Sequence, residues 1–164
     1  MLEVPPAWPL VRYSRIRLRE VFSNLLSNAL KFLGPQPKPL IEVGWRRIFE
    51  NAADDPDAAG AAQRAEAASG SPGEHLIEFF IKDNGIGIDP GDQQRIFLPF
   101  QRLEKVSVEG TGVGLSIVKR IIEGRGGALR VDSTSGQGTT FFFTLPAAPE
   151  TDELTPLGAE ALST

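Results

Sequence analysis

The period of the apolar positions changes several times along the chain, and each change marks an element. Leu18, Val21, Phe22, Leu25, Leu26 and Ala29 recur at three- and four-residue spacings, which predicts one buried helix face between about Arg15 and Phe32. Ser14 supplies an N-cap and Gly34-Pro35 a stop. Residues Leu40 to Phe49 and Leu76 to Asp83 are rich in Ile, Val, Phe and Trp with partial alternation, so they read as strands that pair as neighbours. A short helix near Gln93 to Phe97, a glycine-opened helix from about Val113 to Glu123, and strands at Ala128 to Asp132 and Thr139 to Leu145 complete the set. Helices mixed with mostly adjacent strands predict an α+β fold, a two-layer α/β sandwich.

Two stretches break the pattern. Residues 51–74 hold nine alanines, three glycines and two prolines but no Val, Ile, Leu or Phe, so nothing in them offsets the entropy of ordering. They read as a mobile insertion between two strands, with a short Ala-rich helix from about Ala58 to Ala68 as the rival. Residues 147–164 carry four acids, no base and two prolines, the composition of a disordered tail or linker. The folded part is therefore expected to span residues 1–146.

Composition narrows the chemistry. The 164 residues suit one domain with a sizeable core. Zero cysteines remove disulfides and thiolate metal sites, and the single histidine, His75, leaves neither an imidazole cluster nor a Ser-His-Asp triad. A net charge of -4 argues against a nucleic-acid surface. No apolar run approaches the roughly 20 residues that span a bilayer, and the start lacks the features of a secretion signal. The expected place is the cytoplasm, without direct membrane contact.

Three polar features stand out. Glu20, Asn24, Ser27, Asn28 and Lys31 fall within about a quarter-turn arc of the first helix, opposite its apolar stripe. A solvated face is the plain reading, but two Asn at i and i+4 lower helix propensity and set two amide oxygens side by side, an arrangement suited to magnesium. Asp83-Asn84-Gly85-Ile86-Gly87-Ile88 follows a strand directly. It is either a tight turn capped by Asp or a place where backbone approaches a ligand and Asp83 accepts from an amino group. Gly110-Thr111-Gly112-Val113-Gly114-Leu115 leads into a helix, whose N-terminal N–H groups suit phosphate. Its spacing fits neither the Rossmann fingerprint nor the Walker loop.

The order of these features is more specific than any one of them: Asn-x-x-x-Asn-x-x-Lys, Asp-x-Gly-x-Gly, Phe97-x-x-Phe100, Gly-x-Gly-x-Gly and Gly136-x-Gly138-Thr139. Between about Leu10 and Pro146 the chain resembles the ATP-binding catalytic domain of sensor histidine kinases, hybrid and phytochrome-type ones in particular. These belong to the GHKL or Bergerat superfamily, with the DNA gyrase B subunit and ninety-kilodalton heat-shock chaperones. The resemblance implies a mixed, largely antiparallel sheet covered on one face by about three helices, with ATP and Mg2+ as ligands. It implies Asn28 as the magnesium ligand with Asn24 beside it, Lys31 toward the phosphates, and Asp83 as acceptor from the adenine amino group. Gly85 and Gly87 would let the base lie against backbone, and Thr139 joins the nucleotide site. Gln101 to Thr111 would form a lid in which Arg102 and Lys105 are cations for the γ-phosphate. Gly110, Thr111, Gly112, Val113, Gly114 and Leu115 would line the phosphates. Phe97 and Phe100 are expected to be structural.

In the ATP-hydrolysing relatives, the residue four before the magnesium asparagine is a glutamate that activates water. Here it is Asn24, which has no useful basicity. The implied reaction is transfer of the γ-phosphate to a histidine on a separate dimerisation domain, with a response regulator downstream. His75 lacks the acceptor context, and Glu20 lies one turn too early to be a base. A regulatory nucleotide-binding domain and a self-sufficient ATPase are the alternatives. Dimerisation resides in the missing helices, so this piece is expected to be monomeric. Tyr13-Ser14 replaces the Gly-Asp that commonly precedes the first helix in the family.

Overall fold

A computed structural model describes residues 1–48, 76–101 and 112–148. His75, almost all of the expected lid, the insertion 51–74, and the tail beyond Ala148 lie outside the described residues.

The longest helix, α1 (Arg15–Lys31), begins where the Ser14 hydroxyl accepts the Arg17 N–H at 3.5 Å and ends where Phe32 donates its own N–H to the Asn28 carbonyl. It buries Val21, Leu25 and Ala29, the stripe read from the sequence. The second helix, α2 (Gly114–Glu123), buries Val118, Ile121 and Ile122. Among the described residues five strands form one sheet: β1 (Leu2–Glu3), β2 (Ile41–Ile48), β3 (Leu76–Asp83), β4 (Leu129–Thr134) and β5 (Gly138–Pro146), in the order β1-β2-β3-β5-β4. All neighbours are antiparallel except β1 and β2, which run parallel with Leu2 opposite Ile41. The sheet is thus mixed and largely antiparallel, as expected.

Strand alternation sends Ile77, Phe79, Ile81, Phe141, Phe143 and Leu145 toward the two helices, and these residues with Ile41 and Val43 make the core. Phe79 stacks on Phe143 at 5.3 Å, and Phe22 of α1 meets both edge-on. The other sheet face carries Glu78, 3% exposed, which pairs with Arg46 at 2.7 Å and Arg130 at 3.2 Å. The Arg130 guanidinium also lies 3.4 Å from the centre of the Phe142 ring.

The residues ahead of α1 form a strap across one end of the sandwich. Trp45 donates its indole N–H to the Ala7 carbonyl, and Trp8 lies against Phe22 and Phe79. The strap then runs beside the end of β5, with Ala148 donating to the Leu10 carbonyl and Arg12 to that of Pro146.

The helix expected near Gln93 to Phe97 is two 3-10 turns instead, Pro90–Asp92 and Arg95–Phe97. Its N–H groups bond three residues back, Gln93 to Pro90 and Leu98 to Arg95, because the segment is boxed between Pro90 and Pro99. The Gln93 side chain is also occupied, donating to the Ser133 carbonyl at 2.8 Å.

Candidate functional site

The end of β3 places a buried acid at the floor of the site. Asp83 is 5% exposed, and its carboxylate accepts the Gly85 N–H at 2.8 Å. Burial pushes the carboxyl above its ordinary value, against the opposing pull of the Gly85 and Thr139 backbone N–H groups. Gly85 is required by close approach: a Cβ there would sit 2.3 Å from the Phe32 carbonyl oxygen and 2.6 Å from Asp83 Oδ1. The Ile86 N–H donates to that same Phe32 carbonyl at 3.0 Å, so the acid's turn is fastened to the end of α1. Asn84 anchors the other side, accepting the Leu40 N–H at 2.9 Å and donating to the Lys38 carbonyl at 2.8 Å. Gly87 sits on the same turn at φ 69°, against the Thr134 carbonyl.

One wall is the polar face of α1. Asn24 donates its amide N–H to the Glu20 carbonyl at 2.9 Å, which fixes the amide orientation and turns Oδ1 away from that turn. That oxygen faces the start of α2, where a Cβ on Gly114 would lie 2.7 Å from it. Asn28, one turn further on and half-buried, has no side-chain hydrogen-bond partner among the described residues. Lys31 is exposed in the last turn. Glu20 pairs with Arg17 at 3.3 Å, in keeping with a solvent role.

The opposite wall is the N-terminus of α2. Val113 occupies the N-cap without a side-chain bond, and Ser116 donates instead to the Val113 carbonyl at 2.8 Å. Gly112 has φ 70° and accepts the Phe100 N–H. Leu115, half-buried, packs against the core. Thr139, buried, stands directly opposite Asp83 in the β3–β5 ladder. The structure therefore sets Asn24 against Gly114, fastens the Gly85 turn to the end of α1 just beyond Asn28, and pairs Asp83 with Thr139. Arg102, Lys105, Gly110 and Thr111 lie outside the described residues. Phe97 meets Phe141 edge-on at 6.3 Å and is structural, whereas Phe100 is 79% exposed with φ 63° and packs no core.

Comparison with known proteins identifies the family of the fold. Residues 13–149 match the family described as histidine kinase-, DNA gyrase B- and HSP90-like ATPase. The chain belongs to that family. It is 42% identical over 139 residues to the methanogenesis regulatory histidine kinase FilI of Methanothrix harundinacea, covering 85% of this chain and 13% of that protein. It is 37% identical over 139 residues to the phytochrome-like protein Cph1 of Synechocystis, covering 84% of this chain and 15% of the relative. The full-length crystal structure of ShkA in complex with AMPPNP superposes with a TM-score of 0.63 at 26% identity, covering 90% of this chain and 25% of ShkA. The chain thus spans a small fraction of the length of these multidomain relatives.

Within this histidine kinase-type ATPase fold the donor set fits a nucleotide with a hard cation. For a divalent ion beside the nucleotide, the carboxamide oxygens of α1 are the donors on offer: Asn28 is unpartnered among the described residues and Asn24 is pre-oriented. Sequence reading missed Ser133, buried on β4, whose hydroxyl accepts the Ile88 N–H at 2.8 Å and lies 2.9 Å from both the Gly138 carbonyl and the Thr139 hydroxyl. No local signal marks it, since its partners come from two separate segments, the Asp83 turn and the start of β5. Among the described residues no helix is long and apolar enough to cross a membrane.

Proposed function

We propose that this chain is the catalytic module of a two-component sensor kinase, which binds Mg-ATP and presents the γ-phosphate to a histidine on a separate dimerisation domain, with a response regulator as the eventual recipient. The buried Asp83 carboxylate, held by the Gly85 N–H on a turn fastened to the end of α1, is the observation that carries this reading. A buried acceptor with a free lone pair suits an exocyclic amino group, since a keto oxygen there would face it without a proton. When bound, magnesium supplies positive charge to the phosphate oxygens. Asn28 and Asn24 would hold it, and Lys31 would add a mobile cation at the end of the helix. The N–H groups opening α2 favour negative charge, and Gly114 lets that helix end approach Asn24.

Phosphoryl transfer needs positioning and charge stabilisation more than covalent help from the protein. An amide at position 24 cannot deprotonate water, which supports transfer to an external histidine over hydrolysis. Supporting the same reading, the FilI and Cph1 relatives are far longer than this chain, leaving room for a dimerisation domain. The test mixes the chain and labelled ATP with a dimerisation domain bearing the acceptor histidine. Label on that histidine is expected, with little free phosphate from the chain alone; tight binding without transfer would instead indicate a regulatory module.

A further inference from the structure

Counting hydrogens around Ser133 assigns the polarity of its neighbour. A serine hydroxyl has one proton and two acceptor lone pairs. The Ile88 N–H at 2.8 Å occupies one lone pair. The Gly138 carbonyl, 2.9 Å away, has no proton to give, so it receives the Ser133 proton. The remaining Ser133 lone pair faces Thr139 Oγ1 at 2.9 Å, and that contact is a hydrogen bond only if the Thr139 proton points to Ser133. Thr139 is then left with lone pairs alone on its other side.

Thr139 and Asp83 are directly opposed in the β3–β5 ladder and lie on the same, helix-covered face. The Asp83 carboxylate draws on backbone N–H groups alone, those of Gly85 and Thr139, and the Thr139 hydroxyl proton is spent on Ser133. The floor of the site therefore carries two acceptors and no side-chain donor. An amino group brings two protons to such a pair, while a keto oxygen brings none.

We infer that Ser133 is a specificity-determining residue: by drawing the Thr139 hydroxyl proton, it keeps Thr139 an acceptor beside Asp83 and makes the site select a 6-aminopurine nucleotide over a 6-ketopurine one. This rests on the nucleotide reading above. Ser133 acts through Thr139 and touches no ligand itself. Its bond to Ile88, at the end of the Asp83 turn, fixes the spacing of the acid and the threonine together.

The test is calorimetric titration of the whole chain with Mg-ATP and Mg-ITP, which differ in the 6-amino and 6-keto groups. Wild type is expected to prefer ATP strongly. In Ser133→Ala the Thr139 proton is released to turn toward the base and donate to the keto oxygen, so the ATP-to-ITP preference is expected to fall about tenfold or more, with ITP binding more tightly than in wild type. A structural role alone would weaken both nucleotides equally and leave their ratio unchanged, which would overturn the inference. Thr139→Val, which removes the hydroxyl while keeping the shape, guards against misfolding of the first variant; its preference is also expected to fall, and an unchanged ratio there would overturn the inference as well. Failure of wild type to bind either nucleotide would sink the nucleotide reading itself, a distinguishable result.

Discussion

The Tyr13 hydroxyl donates to the Ile121 carbonyl at 2.6 Å, joining the residue just before α1 to the last turn of α2. The N–H groups of Gly124, Arg125, Gly126 and Gly127 go to the Arg120, Ile122 and Glu123 carbonyls, so Ile121 receives the tyrosine in place of a backbone donor. Burial raises the Tyr13 phenol above its ordinary value, with Arg125 and Arg17 opposing, so the proton needed for this bond is held. The replacement of the family's Gly by Tyr thus has a structural account. Tyr13→Phe is expected to cost about 1 kcal/mol, lowering the melting temperature by about 2–4 °C, with nucleotide affinity unchanged by calorimetry.

Asp83→Asn separates binding from folding. Loss of the charged acceptor is expected to weaken Mg-ATP about 100-fold. Stability should move the other way. Below the ordinary value of 3.8 the wild-type acid is protonated in both folded and unfolded chains, and the stability this gives is lost as pH rises through its raised folded value. The amide variant never ionises. Its melting temperature, relative to wild type, is expected to climb between pH 3.8 and neutrality. A difference that stayed flat across that window in differential scanning calorimetry would contradict the buried-charge account.

Gly114→Ala tests the meeting of the two helices. The new methyl carbon would lie 2.7 Å from Asn24 Oδ1 and must displace the carboxamide. About tenfold weaker Mg-nucleotide binding is expected, and in a double-mutant cycle with Asn24→Ala the two losses should be strongly non-additive. Additive losses would mean that the two residues act separately.

Asn28→Ala is expected to make nucleotide affinity insensitive to magnesium. Titrations with and without the metal measure it, and a metal dependence equal to wild type would move the cation elsewhere.

Glu78→Gln acts on the far face of the sheet. Removing the charge that Arg46 and Arg130 share should cost about 2 kcal/mol, the arginines being partly exposed, and lower the melt by about 4–8 °C. Because Glu78 points away from the helices, ATP affinity should hold.

What could be read in advance was what repeats locally. The stripe of α1, its Ser14 cap, and the alternation of β3 and β5 depend on neighbours two to four positions away, so spacing exposes them. The candidate site residues were named from ordered motifs, without the physical reasons: Gly85 is needed by the Phe32 carbonyl and the Asp83 carboxylate, both unseen in a linear pattern. Parallel β1 is two residues long and has no alternation to detect. Trp8 and Tyr13 act through partners distant in sequence, and Ser133 joins the distant Ile88 to the start of β5, which periodicity cannot supply. Phe100, expected to be structural at the base of the lid, is 79% exposed on a left-handed backbone, and almost all of that lid lies outside the described residues.

The strap ahead of α1 bears on where this fold can be cut. Trp8 shields the Phe22–Phe79 end of the aromatic stack, and the Leu10 to Arg12 backbone occupies hydrogen-bonding positions at the end of β5. A fragment trimmed to open at Ser14 would wet those rings and strip that strand of its companion, inviting association through both. The cooperative unit accordingly reaches upstream of its first long helix, at least as far as Leu2.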